Sequence, residues 1–487
     1  MKLRGQFVDI MCEVNEEYKQ YVVYENGQKV LYLQVLQAIY GCIESALLWY
    51  NLFATTLQGM GYVINPYDKC VANRYIGEKQ CTLTWYVDDN KISHVEKDVI
   101  TAELETITEH FGELDISRGD EHDLLGMHIV LNRKEKRVEI DMISHVEETI
   151  KVIEDLGVKI DSTVSTPANK SLFLVNEDSK ELDEEMSEIF HSVTAKLLFI
   201  MKRARPDIET TVSFLMKRVS KSTDEDWKKL LRCLGFLKKT IKDKRFISAN
   251  NVNTLLTWVD ASHAVHGDMK GHTGGVMTMG GGILHCKSST QKINTKSTTE
   301  SELVGVSEYL PYNIWYMLFL GAQGYTIKNN VLFQDNESAI KMERNGRNSC
   351  TGNSRHIEIK YFWVKDRVDK KEIRIEYCPT WLMLADYFTK ALQGSLFVRF
   401  RNIIMGYVHT DDILNDENYP LKERVENVIT DRKVSGKMSS SMTQPMTGNE
   451  REKKGINKKV TYADVVKNKN GRTAAIEEIQ ERLKVRN

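Results

Sequence analysis

Between Leu255 and Lys390 the chain uses one device repeatedly, an apolar run that closes on an acid. Leu255-Leu256-Thr257-Trp258-Val259-Asp260 reads as a strand ending in a carboxylate, and Val331-Leu332-Phe333-Gln334-Asp335-Asn336 as a buried strand with an acid at its end. Between them, Thr273-Gly274-Gly275-Val276 and Gly282-Ile283-Leu284-His285-Cys286 read as two more strands of an antiparallel meander, with glycines at the turn. Ser297-Thr298-Thr299-Glu300-Ser301-Glu302 then opens a helix with a capping signature, and Leu303, Val306 and Leu310 face one way along it. Asp386, in Ala385-Asp386-Tyr387-Phe388-Thr389-Lys390, stands at the start of a last helix. Three strands, a helix, an acid-tipped strand and an acid-bearing helix describe an α/β domain.

Any one of these acids alone reads as a surface residue. Four of them in these elements and this order point to a shared task, because like charges brought together are costly unless a cation holds them. In-line cleavage of a phosphodiester uses two divalent ions roughly 3.5 to 4 Å apart, one activating water and one stabilising the leaving oxygen. Four carboxylates can bridge and neutralise such a pair and leave positions open for phosphate. The series resembles the RNase H domain of Ty1/copia retrotransposons, whose pattern runs W-x-D-A-D-x-A, S-S-x-E-A-E-Y, D-N-x-x-A, K-H-I-x-x-x-Y-H and A-D-x-x-T-K. The resemblance implies Asp260, Glu302, Asp335 and Asp386, separated by 42, 33 and 51 residues, as catalytic residues and ligands of Mg²⁺, with Mn²⁺ as a substitute. Glu302 is preferred to Glu300 because it directly precedes the apolar Leu303-Val304, and the choice stays open here. His356, in Ser354-Arg355-His356-Ile357, matches the K-H-I segment, either near the scissile phosphate or as a hydrogen-bonded structural residue. Ser262 stands where the family has its second Asp, and Pro311 predicts a kink or break of the helix at about Leu310.

A second acidic site lies upstream. Thr82 to Val87 is rich in β-branched and aromatic residues and ends in Asp88-Asp89, so it reads as a strand presenting two acids at a tight turn. By itself that is a solvated hairpin tip, since Asp is a common turn residue. Tyr86-Val87-Asp88-Asp89 resembles the catalytic hairpin of reverse transcriptases, and Ile39-Tyr40-Gly41 running to Trp49-Tyr50 is similar to the Ty1/copia L-Y-G-L-K-Q-A-P-R-A-W-Y pattern, with Glu44 and Ala46 in place of its Gln and Pro. Asp88 and Asp89 are then implied as metal-binding residues of a polymerase site. The family pairs them with an earlier aspartate in D-x-x-x-A-F, a pattern that does not occur before Tyr40, where Asp9 is the one aspartate. Met1-Lys2-Leu3-Arg4-Gly5 resembles the segment after that acid-bearing strand, so the fingers and first acid are expected before residue 1 and polymerase activity is expected to be lost.

The rest of the chain sets the frame. Lys19 to Tyr24 and Val30 to Val35 read as strands around Glu25-Asn26-Gly27, and Ala38 to Leu57 and Val95 to Phe111 as helices, while Asp123 to Ile129 resembles the family's F-L-G-I-x-I segment, which implies the strand behind the catalytic hairpin. Residues 140 to 250 read as mostly helical, and Arg205-Pro206-Asp207-Ile208 stands for the family's T-R-P-D-I. From Leu421 onward sixteen Lys/Arg face nine Asp/Glu, so that end is basic while residues 1 to 420 carry −8. It is rich in Ser, Asn and Gly and poor in aromatics, and reads as largely disordered, with a short amphipathic helix at Ala474 to Val485. No apolar run has the length of a membrane helix, and the eight cysteines show no CxxC or metal spacing.

The expected architecture is α/β: a partial reverse-transcriptase palm over residues 1 to 160, a helical thumb or connection over 161 to 250, an RNase H-like domain over 251 to 410 and a charged, disordered tail over 411 to 487. The expected activity is metal-dependent hydrolysis of the RNA strand of RNA–DNA hybrids, held through the nucleic acid backbone, with affinity that falls steeply with salt. A decayed or co-opted copy that binds nucleic acid without catalysis is the alternative. Other retroelement polyprotein products are expected partners. The expected location is intracellular: cytoplasm, retroelement particles or nucleus.

Overall fold

The computed structural model describes residues 1–34, 43–249, 251–346, 358–422 and 425, with the side chains of 43 and 358–362 left aside. Contacts divide it into two units, one with residues 1–64 and 70–112, the other with 65–69 and the residues from 113 on. Ile39 to Cys42, His356, and the tail from 426 with its expected helix lie outside the described residues.

In the first unit, β1 (Lys2–Arg4), α1 (Gln6–Val14), β2 (Val22–Glu25) and β3 (Gln28–Tyr32) form a small antiparallel sheet in the order β1-β3-β2 around Val8, Cys12 and Leu31. The expected hairpin is present but shorter. Asn26 and Gly27 turn it with φ of +51° and +80°, the primed geometry that tight hairpins prefer, while Glu16–Tyr21 is 3₁₀ helix, where the sequence reading begins a strand at Lys19. Next come α2 (Ile43–Gly59), β4 (Val63–Ile64), β5 (Val71–Ile76), β6 (Lys79–Tyr86), β7 (Asp89–Ser93) and α3 (Lys97–Phe111). The four strands pair in chain order. Cys81, Leu83 and Trp85 of β6 are buried and their neighbours less so, the alternation of a strand with one face inward. Trp85 packs edge-on against Phe53 of α2 at 5.5 Å, and Phe53 lies 5.4 Å from Phe111 of α3, so aromatic packing joins both helices to the strand that carries the acids.

The second unit begins with β8 (Glu121–Leu124), β9 (Met127–Asn132) and β10 (Arg137–Asp141). Asp123 to Ile129 is thus a hairpin, not one strand, because Leu125 and Gly126 turn the chain at φ +52° and +75°. β8 pairs with β9 and β9 with β10, all antiparallel. Then follow α4 (Ile143–Glu154), α5 (Glu184–Arg203), α6 (Glu209–Arg218), α7 (Asp224–Lys239), β11 (Arg245–Ala249), β12 (Thr254–Ser262), β13 (His272–Thr278), β14 (Gly280–Gly281), β15 (Ile283–Thr290), α8 (Thr298–Ala322), β16 (Asn329–Gln334), α9 (Glu337–Asn345), α10 (Glu358–Asp369), β17 (Arg374–Tyr377), α11 (Asp386–Thr389), α12 (Gly394–Ile404) and α13 (Asp411–Leu414). One sheet runs β14-β11-β10-β9-β8 and the other β15-β13-β12-β16-β17, with β12, β16 and β17 parallel and the rest of that sheet antiparallel.

The helical segment does not form a core of its own. Phe190, Leu197 and Phe236 from α5 and α7 share one apolar cluster with Trp258, Phe333, Phe388 and Phe400. Past residue 410, where the sequence leads one to expect a disordered tail, Ile413, Leu414, Leu421 and Val425 are buried in that same cluster. Leu421 and Val425 are the apolar residues of an otherwise charged run, a spacing too sparse to read as periodicity. Finally, α8 continues through Pro311 without a break. It is held on both sides, by Val306, Tyr309 and Leu310 before the proline and by Asn313 after it, whose buried amide donates to Thr257 Oγ1 at 2.9 Å and to Asn330 Oδ1 at 2.8 Å.

Candidate active site

The centre of the acidic site is β12. Its parallel register with β16 pairs Trp258 with Phe333, and carrying that register two residues further brings Asp335 level with Asp260. Stacking of the Trp258 and Phe333 rings, 4.8 Å apart, fixes the alignment beneath the acids. On the other edge of β12, Asp260 pairs with Gly274 of β13. Two adjacent glycines are needed here. A Cβ on Gly274 would lie 2.6 Å from Thr389 Cγ2 and 2.8 Å from the Ala385 carbonyl, and one on Gly275 would lie 2.1 Å from the Tyr309 ring. Successive strand residues face opposite sides, so the pair lets α11 approach one face of the sheet and α8 the other.

Helix α8 supplies Glu302. Its first turn is secured by the Ser297 hydroxyl accepting from Glu300 N at 3.2 Å, and by Ser301 Oγ, which lies 2.6 Å from Thr295 Oγ1 and 3.1 Å from His263 Nδ1. Glu300 turns back to accept from Lys296 N, while Glu302 points into the site. One oxygen from each of Asp260, Glu302 and Asp335 lies within 4.8 Å of the others. Asp260 and Glu302 are buried, at 3% and 5% exposure, so little water is at hand to screen them. Burial, then Asp260, then Asp335 push the Glu302 carboxyl well above its ordinary range, and burial followed by Asp260 raises Asp335. Glu302 Oε2 has no hydrogen-bond partner.

Asp386, the fourth acid expected from the sequence, is outside that trio. It lies at the start of α11, a single turn in place of the expected last helix, and burial and then Asp260 raise its carboxyl. Lys390 Nζ is 2.7 Å from Asp386 Oδ1 and 3.7 Å from Asp260 Oδ2, and Thr389 Oγ1 donates to Asp260 Oδ2. Thr380 Oγ1 donates to Asp335 Oδ2 at 3.1 Å. Thr389 and Lys390 lie within the A-D-x-x-T-K segment, and their spacing from Asp386 across one turn is the sequence signal for their place beside it. Glu343 on α9 is missed entirely. It is fully buried, neither of its oxygens has a partner, and burial pushes it up to about 8. Nothing in Lys341-Met342-Glu343-Arg344 marks it as internal.

Asp88 and Asp89 are arranged differently. Tyr86 pairs with Asp89 across the hairpin, Val87 turns at φ +54°, and the Val87 carbonyl accepts from Trp49 Nε1 at 2.8 Å. A β-branched residue in that region is strained, and the indole hydrogen bond helps to hold it. Both acids are exposed, and among the described residues no third Asp, Glu, His or Cys joins them within ligating reach. Asp9 lies on α1, paired with Lys29 at 2.6 Å.

No family model matches the chain. Among curated proteins, it is 26% identical over 386 residues to the retrovirus-related Pol polyprotein from transposon TNT 1-94 of Nicotiana tabacum, covering 78% of this chain and 28% of that protein. It is 24% identical over 367 residues to the Pol polyprotein from transposon RE2 of Arabidopsis thaliana, with 75% and 24% covered, and 24% identical over 397 residues to the transposon Ty1-NL2 Gag-Pol polyprotein of Saccharomyces cerevisiae, with 76% and 22% covered. The chain therefore spans about a quarter of the length of these relatives. Of solved structures, native prototype foamy virus protease-reverse transcriptase matches over 78% of this chain and 43% of that one, at 13% identity and a TM-score of 0.21, a likeness too weak to argue from.

Proposed function

We propose that this chain, whose homologues are the Ty1/copia-type retrotransposon Pol polyproteins of plants and yeast, hydrolyses the RNA strand of RNA–DNA hybrids at Asp260, Glu302 and Asp335. The observation that carries the proposal is the convergence of three acids from β12, α8 and the end of β16, with ligand oxygens within 4.8 Å of one another. Bringing repelling, poorly solvated carboxylates together is costly, and a bound cation offsets that cost. An all-oxygen donor set suits a hard divalent ion, and the unpartnered Glu302 Oε2 is an acceptor awaiting one, so the residues fit Mg²⁺ or Mn²⁺. Asp260, Glu302 and Asp335 would hold it, with Asp386 at the edge. When bound, such ions supply water activation and stabilisation of the leaving oxygen.

The chain's own residues do the rest. Asp260 is oriented by Thr389 and Asp335 by Thr380, so both carboxylates are aimed before substrate arrives. Binding is to the nucleic acid backbone, and other products of a retroelement polyprotein are the proposed partners, in the cytoplasm, in particles or in the nucleus. Among the described residues no helix is long and apolar enough to cross a membrane. Polymerisation is not assigned to this chain.

The test is cleavage of a labelled RNA–DNA hybrid by the purified chain with Mg²⁺ or Mn²⁺. Wild type should cleave, and Asp335→Asn should lose at least about a hundredfold in rate, as expected when charge stabilisation at the reacting phosphate is removed. Equal cleavage by both points to a contaminant. Hybrid binding without cleavage by either would leave a nucleic-acid-binding protein that has lost its chemistry.

A further inference from the structure

Lys390 has no role in the hydrolase proposal, yet among the described residues it is paired with two of the acids, Asp260 and Asp386. It lies one helical turn beyond Asp386, with Nζ 2.7 Å from Asp386 Oδ1 and 3.7 Å from Asp260 Oδ2. Its side chain is 44% exposed, so it has room to move into solvent, while Asp260 and Asp386 are 4% and 5% exposed and do not. The groups that face it are Asp260, Asp386 and, further off, Asp335; burial alone would lower the ammonium, and these acids raise it. Thr389, its neighbour, is buried and donates to Asp260, which anchors the backbone from which Lys390 extends. Asp386 correspondingly stands apart from the three acids that come within ligating reach of one another.

We propose that Lys390 is a tethered cation which holds the Asp260–Asp386 edge of the site, so that Asp386 would become available to a divalent ion beside Asp260 only when the lysine swings out. The proposal rests on the hydrolase reading and adds an order of events to it. The Asp260–Glu302–Asp335 side is open to the first ion, and the Asp386 side is guarded. Once displaced, the ammonium remains on its flexible four-carbon stem at the rim, where an incoming phosphate offers it a new partner. Nucleic acid that draws Lys390 away would then favour the second ion, coupling substrate binding to completion of the site.

Mn²⁺ binding to the full chain, without nucleic acid, tests this by calorimetry and by electron paramagnetic resonance of the free ion. Wild type should take one Mn²⁺ tightly and a second weakly. Lys390→Met, and Lys390→Gln as a second neutral variant, should bind the second ion about tenfold more tightly, the order expected on removing a half-exposed unit charge a few ångström away. Lys390→Arg should resemble wild type. Without metal, Lys390→Met should melt below wild type, and Mn²⁺ should close the gap. Identical isotherms for wild type and both neutral variants would overturn the role of Lys390. If Asp335→Asn abolishes the first site while the lysine variants change nothing, only this inference fails; if wild type and Asp335→Asn bind Mn²⁺ alike, the hydrolase reading fails with it.

Discussion

Replacing Glu343 by Met should stabilise the second unit, and by more at pH 8.5 than at pH 5.5. Glu343 is fully buried on α9, both its oxygens are unpartnered, and burial moves it from 4.5 to about 8 in the fold. A carboxyl raised in this way is neutral in the folded chain and ionised in the unfolded one across the window between those values. The unfolded state then binds fewer protons, so its contribution to stability is present below the unfolded value and is lost as pH rises towards 8. Between pH 5.5 and 8.5 the linkage relation gives a loss on the order of 3 kcal/mol from this one group. Met has similar volume and no charge to desolvate, so urea denaturation of wild type and Glu343→Met, in chelator at both pH values, should diverge by about that amount. Asp386, raised to about 8, titrates in the same window, which is why the difference between the proteins is the quantity to read. Glu343→Gln separates charge from polarity: it should remove the pH dependence while keeping the cost of an unpartnered polar group. Parallel pH profiles for wild type and Glu343→Met would show that Glu343 is solvated or paired, and would refute the reasoning.

Gly275→Ala should cost about 1–3 kcal/mol or more, because the new methyl would lie 2.1 Å from the fully buried ring of Tyr309; an unchanged melting temperature would show that α8 can move away. Asp207→Asn should destabilise by about 3–5 kcal/mol in urea, since it leaves the buried Arg205 without its carboxylate; a loss under about 1 kcal/mol would mean that water reaches it. Primer extension on poly(rA)/oligo(dT) should give no product, since Asp88 and Asp89 are exposed and no third ligating acid joins them among the described residues; extension that disappears in Asp88→Asn would refute this.

What could be read from the chain beforehand was what depends on short range. The strands that end near Asp260 and Asp335, the capped start of α8 and the acidic hairpin each occupy a few consecutive residues with a strong pattern, and the structure places elements there. The choice between Glu300 and Glu302 was legible only as a preference. The fold separates them by giving Glu300 a backbone donor at the helix start and bringing Glu302 to Asp260 and Asp335. Features that depend on distant contacts are not legible in this way. Pro311 costs one helical hydrogen bond, but the helix is fastened on both sides by residues from β12 and β16, which no local rule foresees. The burial of Leu421 and Val425 depends on partners far away in sequence: the Val425 carbonyl accepts from Asn329 Nδ2 at 2.9 Å. Glu343 follows Ile340 and Ala339 at helical spacing, but a glutamate on a short, charge-rich helix is ordinarily a solvent-facing residue.

The largest revision concerns the helical segment, which the sequence credits with no chemistry and which nevertheless holds part of the site in place. Arg205 grips Asp207 through two hydrogen bonds of 2.9 Å, and Arg401 of α12 donates a third of the same length. The Asp207 carbonyl accepts from Tyr387 Oη at 2.9 Å, and Thr210 Oγ1 donates to the Tyr387 carbonyl at 2.7 Å. Tyr387 follows Asp386 directly and precedes Thr389 and Lys390 within the same turn. A four-residue helix has too few internal hydrogen bonds to stand by itself. Its orientation, and with it the position of the fourth acid and of the lysine, is therefore imposed by the Arg-Pro-Asp-Ile turn beneath it. That turn lies 179 residues before Asp386 when counted from Asp207, a separation at which no motif search over neighbouring residues can see the link. The same contacts explain why α5 to α7 cannot be trimmed away as a tether: their apolar faces complete the cluster that contains Phe388, so removing them would expose the support of Asp386 and Lys390 before it exposed any acid.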